Sequence, residues 1–528
     1  MTNSIITGNG EYGIRTIPND AGKMVNNDIS GNTKEGIYIL GGDILEDGIW
    51  EKNNSFYLIN GGININSENF PKVEITPGVE LKFNPNTGLT ITKGSLYAYS
   101  TTEVITFTSN KNETDKTAGD WKGIYFGGDT EDSAAVLENC VIEYAGAITN
   151  SGLYFNSSSP KVVKSIVRKN NGHGIYCANA SPQIENSTIS DNTNYGIYCS
   201  DTSSRPNIID NNISSNGNYP LRLGINGLGN LNNNLYTANG RQALEIIGER
   251  ITNDLLIGNT GLKQYDVVSS PIYIYGDTVA AIQLTIDTGV ILRFESGTGI
   301  QVGYGSNKGI LRAIGGSQEP NKIKFTANTD TPFRGYWGNI YFDDGATDYD
   351  TASATGSILE NCIIEYGAQP GYADENIYIL NSSPGIKNND IKESRTNGIR
   401  IDGASSPLIE GNTITNNGTY GIYLTSNIPR PFITENTITG NGSYPMRFWT
   451  NGINIITNTN IYSMNNPDMI EVIGEEIIDG EVRFKEAGIP YYINGNIVIG
   501  WRNDRNVRME ITEGVEMRMK KDCGIFVG

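Results

Sequence analysis

The sequence predicts an all-β fold, a single-stranded parallel β-helix, and three observations carry that prediction. A long stretch recurs: I-T-P-G-V-E-L-K-F at 75–83 returns as I-D-T-G-V-I-L-R-F at 286–294 and as I-T-E-G-V-E-M-R-M at 511–519. L-E-N-C-V-I-E-Y at 137–144 likewise returns as L-E-N-C-I-I-E-Y at 359–366. Inside the long repeat runs a shorter beat of 22–24 residues. Finally, apolar and polar residues alternate over three to five positions, the two-residue period of a strand, while Asn, Gly, Ser and Asp fill the gaps between. No stretch sustains a helical period.

The beat is clearest between 150 and 223. Gly152, Gly174 and Gly196 open S-G-L-Y-F, H-G-I-Y-C and Y-G-I-Y-C; Pro160, Pro182 and Pro206 follow, then Ile166, Ile189 and Ile213. The second long unit keeps the same order with Pro384, Pro407 and Pro431, and with Ile391, Ile414 and Ile438. The N-terminus joins in, with Ile6 and Ile29, and Gly13 and Gly36, each 23 residues apart. A fixed period of this size marks a solenoid, in which each repeat buries its apolar face only against its neighbours. Three short strands and three corners fit one period. Two residues before the ladder isoleucines stand Asn27, Asn211, Asn389, Asn412 and Asn436, with Ser4 and Ser187 in the same register. Stacked amides at the strand spacing of roughly 4.8 Å can hydrogen-bond one another. The long repeat then spans about nine coils, and the expected organisation is one continuous rod. Residues 1–66 are the last coils of a truncated preceding unit, 67–275 and 276–500 are two full units, and 501–528 begin a truncated third.

This pattern resembles the right-handed parallel β-helix repeat proteins of bacterial and archaeal surfaces, within the pectate-lyase-like superfamily. The resemblance rests on the P-G-V-E-L-K-F strand, F-T-S-N at 107–110, W-K-G-I-Y-F at 121–126 and the S-S-P…N-T-I…G-I-Y coils. It implies the fold and an extracellular or cell-surface setting. It says little of activity, because the superfamily hosts lyases, hydrolases, adhesins and inert spacers alike.

Composition narrows the function further. A net charge of −19 argues against nucleic acid, which needs a basic face. No stretch could span a membrane as a helix. No signal peptide is visible at the N-terminus. Five cysteines do not make a disulfide framework; Cys177 and Cys199 share one coil position and are expected to stack as buried thiols, while Cys140 and Cys362 take a slot that other coils give to Asn. The expected partner is a polysaccharide or cell-surface glycan, met by a monomeric rod.

Three candidate sites follow. In G-I-Y-C the isoleucine and cysteine face inward, so the tyrosine faces out. Stacking the coils aligns Tyr154, Tyr176 and Tyr198, ending at Arg222; the second unit gives Tyr378, Arg400 and Tyr423, ending at Arg447, and the N-terminus adds Arg15 and Tyr38. Aromatic faces interleaved with guanidinium groups suit sugar rings and hydroxyls. Asp343, Asp344, Asp348 and Asp350 follow the G-N-I-Y-F strand and are the ligands the sequence offers for calcium, although they lack the spacing of a dedicated calcium loop. No other cofactor is implied. The single histidine, His173, stands in a G-H-G resembling that of polygalacturonases, but the paired aspartates of such a site are missing and its slot holds Tyr195, Asn397 and Tyr420 in other coils. The expected function is non-enzymatic: structural display, adhesion or carbohydrate contact. The alternative is a polysaccharide lyase or glycoside hydrolase, marked by several carboxylates, or carboxylates with arginine, converging on one face.

Overall fold

The computed structural model describes the whole chain except residues 372–373, 458, 479 and 501–506, with the side chains of 454–455 also set aside. The expected start of a third unit at 501 falls on residues outside this description. The chain divides into two compact units, Met1–Ile247 with Thr260–Leu262, and Gly248–Asn259 with Lys263–Gly528.

Each unit is a parallel β-solenoid with three sheets. In the first unit, Cys140–Glu143, Ile166–Arg168, Thr188–Ser190, Asn212–Ser214 and Leu235–Thr237 stack as one sheet. Ser151–Asn156, His173–Ala178, Ile197–Cys199, Leu221–Gly224 and Leu244–Ile247 form the next. Val136–Glu138, Lys161–Val163, Gln183–Glu185 and Asn207–Ile209 form the third. The second unit repeats the arrangement, with Glu375–Leu380, Asn397–Asp402, Ile422–Leu424, Met446–Trp449 and Ile470–Ile473 stacked in one sheet. Alternation along each strand sends one set of side chains into a dry interior, so Ile142, Val167, Ile189 and Ile213 are fully buried, as are Ile364, Ile391, Ile414 and Ile438. Each such side chain contributes about 2–3 kcal/mol by leaving water.

The landmark aromatics are core pillars. Phe83 stacks on Trp121 at 4.0 Å between ring centroids, and Phe294 on Trp337 at 4.5 Å. Both indole N–H groups donate to a backbone carbonyl, Glu143 at 2.9 Å and Glu365 at 2.8 Å. All four cysteines between 140 and 362 are buried free thiols, with Cys177 in register with Cys199.

The asparagine ladder is present, and a second one runs beside it. In the first, the amide N–H of Asn389 donates to Asn412 Oδ1 at 2.9 Å, Asn412 to Asn436 at 2.9 Å and Asn436 to Asn460 at 3.0 Å. The side-chain Nδ2 groups follow the same path. Cys362 stands at the head of this column, its N–H donating to Asn389 Oδ1 at 2.9 Å. Ser187 and Asn211 occupy the equivalent column of the first unit. The second ladder links Asn170, Asn192, Asn216 and Asn239 in the first unit, and Asn417, Asn441 and Asn465 in the second. Each of its last members is satisfied within its own coil: the Asn239 N–H donates to Gln242 Oε1 at 3.2 Å, and the Asn465 N–H to Asp468 Oδ1 at 2.7 Å.

The ladder also explains the glycine of G-I-Y. A Cβ on Gly174 would sit 2.7 Å from Asn192 Nδ2, and one on Gly421 2.5 Å from Ile438 Cγ2, so only glycine lets the neighbouring coil approach. The beat itself is less uniform than the sequence suggests. Ladder partners are 22–24 residues apart in the regular coils, but the Thr108–Glu143 bond spans 35 residues and its counterpart Thr326–Glu365 spans 39. Extra residues leave the coil at a corner as a loop, which keeps the strands in register while lengthening the turn.

Candidate functional site

The predicted tyrosine–arginine row forms in both units. In the first, Tyr154, Tyr176, Tyr198 and Arg222 occupy successive strands in register. Ring centroids lie 4.6 Å apart for Tyr154–Tyr176 and 5.3 Å for Tyr176–Tyr198, and the Arg222 guanidinium lies 5.1 Å from the Tyr198 centroid. In the second, Tyr378, Arg400, Tyr423 and Arg447 align in the same way. Arg400 lies 4.8 Å over Tyr378 and Arg447 5.1 Å over Tyr423. The rings are half-buried rather than free, since each leans on the next.

Sequence reasoning missed how far the rows extend. Tyr125 precedes Tyr154, and Tyr341 precedes Tyr378, both within the G-I-Y-F and N-I-Y-F strands. Each row then meets a carboxylate: Glu245 accepts from Arg222 Nη1 at 2.8 Å, and Glu471 lies 3.7 Å from Arg447 Nε. Beyond Glu471 the second row runs on to Tyr492 and Arg518. A second aromatic column flanks the first. Tyr195 packs on Tyr198 at 5.0 Å and donates its hydroxyl to Glu245 at 2.9 Å; Tyr420 packs on Tyr423 at 5.1 Å and donates to Glu471 at 2.8 Å. Burial, then the bonded carboxylate, pushes the Tyr420 phenol up to about 12, and Tyr195 is raised for the same reasons. The signal was available: the Tyr195, Tyr198, Arg222 and Glu245 quartet recurs along the chain as Tyr420, Tyr423, Arg447 and Glu471.

Arg15 and Tyr38 do not extend the row. They pair with each other, 5.1 Å from guanidinium to ring, but their strands belong to the sheet that continues through Leu58, Lys82 and the 105–109 strand. The G-I-Y triplet alone does not specify a sheet; its partners do.

The four aspartates do not converge. Asp343 accepts from the Tyr341 hydroxyl at 2.8 Å and from Gln301 at 3.2 Å, and Asp344 accepts from Asn381 at 2.8 Å. Asp348 accepts from the Ser383 N–H at 2.6 Å, while Asp350 binds the Ala352 N–H and the Ser353 hydroxyl. Asp343, Asp344 and Asp348 tie the loop to neighbouring coils, and Asp350 closes a turn within it. Among the described residues no three His, Cys, Asp or Glu side chains stand close enough to share a metal ion. Arg334 is held by Glu393 at 2.8 Å.

His173 lies within this first-unit cluster, 4.4 Å from the Tyr198 ring and 5.4 Å from Tyr195. Burial, helped by the nearby Arg222 charge, lowers its pKa from the ordinary 6.5 to about 4, and its Nδ1 makes no hydrogen bond. The equivalent position of the preceding coil is Ser151; in the second unit the same two positions are Glu375 and Asn397. There a cleft of about 500 Å³ opens beside the row, lined by Asp374, Glu375, Arg400, Tyr420, Tyr423 and Arg447 together with three threonines and Asn397. Carboxylates and arginines thus meet on one face in the second unit, as sequence alone did not anticipate.

The profile of the right-handed β-helix region family matches residues 100–279, 260–466 and 375–499. The chain belongs to that family. Among solved structures it is similar to tailspike protein 3 of bacteriophage CBA120, with 9% identity over 92% of this chain and 56% of that one, at a TM-score of 0.18. The chain therefore spans little more than half the length of that tailspike. It is also similar to the catalytic domain of a GH87 α-1,3-glucanase solved with tetrasaccharides, at 13% identity, 83% and 62% coverage and a TM-score of 0.14. A third is the A-module of the Azotobacter vinelandii mannuronan C-5 epimerase AlgE4, at 10% identity, 92% and 91% coverage and a TM-score of 0.15. Comparison with curated protein sequences gives no match. No helix among the described residues is long and apolar enough to cross a membrane.

Proposed function

We propose that this protein is a non-enzymatic, repetitive β-helix protein of the cell surface or extracellular space that contacts carbohydrate through its tyrosine–arginine rows. The observation that carries this reading is the recurrence of one constellation, two tyrosines, an arginine and a glutamate, in both units with matching contacts. Ring faces and guanidinium planes held rigid in a ladder present a pre-organised surface, so little ordering entropy opposes binding. A chemical site needs one copy, whereas a contacting surface gains from two.

The test is a glycan array with wild type, a Tyr176→Ala/Tyr198→Ala variant, a Tyr378→Ala/Tyr423→Ala variant and the fourfold variant. Loss of a stacked ring is expected to weaken binding about tenfold per row, on the order of 1.4 kcal/mol. Binding that survives the fourfold change would remove the rows from the account.

A second reading, polysaccharide cleavage, is favoured by one observation, the acid- and arginine-lined cleft at Glu375. Against it, the first unit repeats the tyrosines, arginine and glutamate but has Ser151 where the second has Glu375. Release of reducing ends or unsaturated products from a bound glycan, abolished in Glu375→Gln, would decide for cleavage.

A further inference from the structure

The second unit contains a group that its fold leaves unused. Glu375 is 0% exposed, and neither carboxyl oxygen has a well-formed hydrogen bond, although the Asn397 side chain lies near. A buried polar group without partners costs on the order of 1–3 kcal/mol, so its retention at the wall of an open cleft asks for a reason. Beside it, Arg400 Nε, Arg447 Nε and Thr396 Oγ1 also make no hydrogen bond. The atoms left without a hydrogen bond are therefore a mixture of donors and acceptors lining one space, Glu375 being the one ionisable side chain of this set with no ion pair among the described residues.

Resting on the carbohydrate-contact reading above, we propose that this cleft is a subsite for an uncharged sugar unit, with the Glu375 carboxyl serving its hydroxyls as donor and acceptor. The charge balance selects a neutral ligand. Arg400 pairs with Asp402 at 3.3 Å, Arg447 with Glu471 at 3.7 Å and Arg395 with Asp374 at 3.3 Å, so the cations around the cleft are already matched by anions. An acidic sugar would meet no net positive field and would sit against Glu375. Hydroxyls, which both donate and accept, match what remains, and Tyr420 and Tyr423 wall the space with ring surface.

The subsite has a pH signature. Burial, with a smaller contribution from Asp374 and Asp402 and opposed by Arg400, raises the Glu375 carboxyl from its ordinary 4.5 to about 8. It is neutral below that pH and loses its O–H above it. The other titratable groups facing it are Tyr378 on its own strand, itself raised by burial, and Tyr420, which does not ionise below about 12. Glu375 is the group in this set that changes charge between pH 6 and pH 9.5.

The experiment measures binding of neutral hexose oligosaccharides and of uronate oligosaccharides to the full chain at pH 6 and pH 9.5, for wild type, Glu375→Gln, Glu375→Leu and Tyr423→Ala. Thermal unfolding at each pH verifies that every variant is folded. The expected result is a preference for neutral oligosaccharides that weakens at least tenfold at the higher pH in wild type. Glu375→Gln, which keeps a donor and an acceptor, retains binding with a flat pH profile, and Glu375→Leu loses it. If Tyr423→Ala abolishes binding while Glu375→Leu and pH leave it unchanged, this inference falls and the carbohydrate reading stands. A preference for uronates overturns the neutral assignment. Failure of every probe to bind, or indifference to all three positions, overturns both.

Discussion

His173 and Glu375 stand in the equivalent columns of the two units, one coil apart in the pattern, and are perturbed in opposite senses by the same cause. Burial keeps each neutral: the histidine falls to about 4 and the glutamate rises to about 8. The signs follow. A depressed histidine contributes stability that is complete above 6.5 and is lost as pH falls through 4, about 3 kcal/mol in all. His173→Asn, the residue found at 397, is therefore expected to unfold at lower denaturant than wild type at pH 7 only if packing is lost, but to lose less stability on going to pH 4.5. The neighbours that set this are Tyr176, Tyr195, Tyr198 and Arg222. A raised carboxyl contributes stability complete below 4.5 and lost through 8, so Glu375→Gln is expected to gain ~5 kcal/mol over wild type at pH 9.5 relative to pH 4. Urea titrations at the two pH values check both; parallel shifts of wild type and variant would refute the assignments. Of these residues the tyrosines were legible in sequence, because a two-residue period fixes which side of a strand they take. Glu375 was not. In D-E-N-I-Y it reads as the polar edge of a turn, and its depth comes from the coils stacked beside it.

At the scale of the element, the coil is held by a dry apolar stack and by amide ladders that satisfy its corners. Asn412 is a fair test of the second. It accepts two bonds from Asn389, and its own Nδ2 donates to Asn436 Oδ1 and to the Ile386 carbonyl at 2.8 Å. Asn412→Ala strands several buried groups at once and is expected to cost about 2–4 kcal/mol, with faster hydrogen exchange at Asn389 and its neighbours. Exchange unchanged in those coils would show the ladder to be incidental. The first ladder was legible because its residues sit two before an isoleucine at every beat. The second escaped notice because asparagine crowds these corners, where left-handed residues such as Asn186 and Asn388 also stand (φ 50° and 54°). Only pairing separates an amide that points inward from one that merely tolerates the turn. The misassigned Arg15–Tyr38 pair has the same origin: a strand motif names a local conformation, and the sheet it joins is decided by partners coils away.

Across the whole molecule, two units carry one constellation with different floors, His173 with Ser151 in one and Glu375 with Asn397 in the other. Two copies predict avidity. Disabling either row alone by paired Tyr→Ala changes should barely alter affinity of the intact row for a short oligosaccharide, yet lower retention on a dense glycan surface by roughly tenfold or more. Surface plasmon resonance on sparse and dense surfaces measures this, and equal losses on both would argue that only one row binds. The recurring segments of the long repeat could be read from the sequence, while the longer coils near 108–143 and 326–365 could not, because loop residues obey no beat.

The in-coil acceptors that end the second ladder have a consequence for how such a chain grows. Each amide in the column is in debt to the next coil, and that obligation would ordinarily forbid cutting the series anywhere. Gln242 and Asp468 discharge it locally, three residues after the last asparagine. At these residues the amide column closes without the next coil, while the strands pair on past them, Arg447 with Glu471 and Ile470 with Tyr491. A change of coil beyond Gln242 or Asp468 therefore orphans no amide of this column. These two polar side chains act as full stops for the amide column, though not for the sheets that carry it.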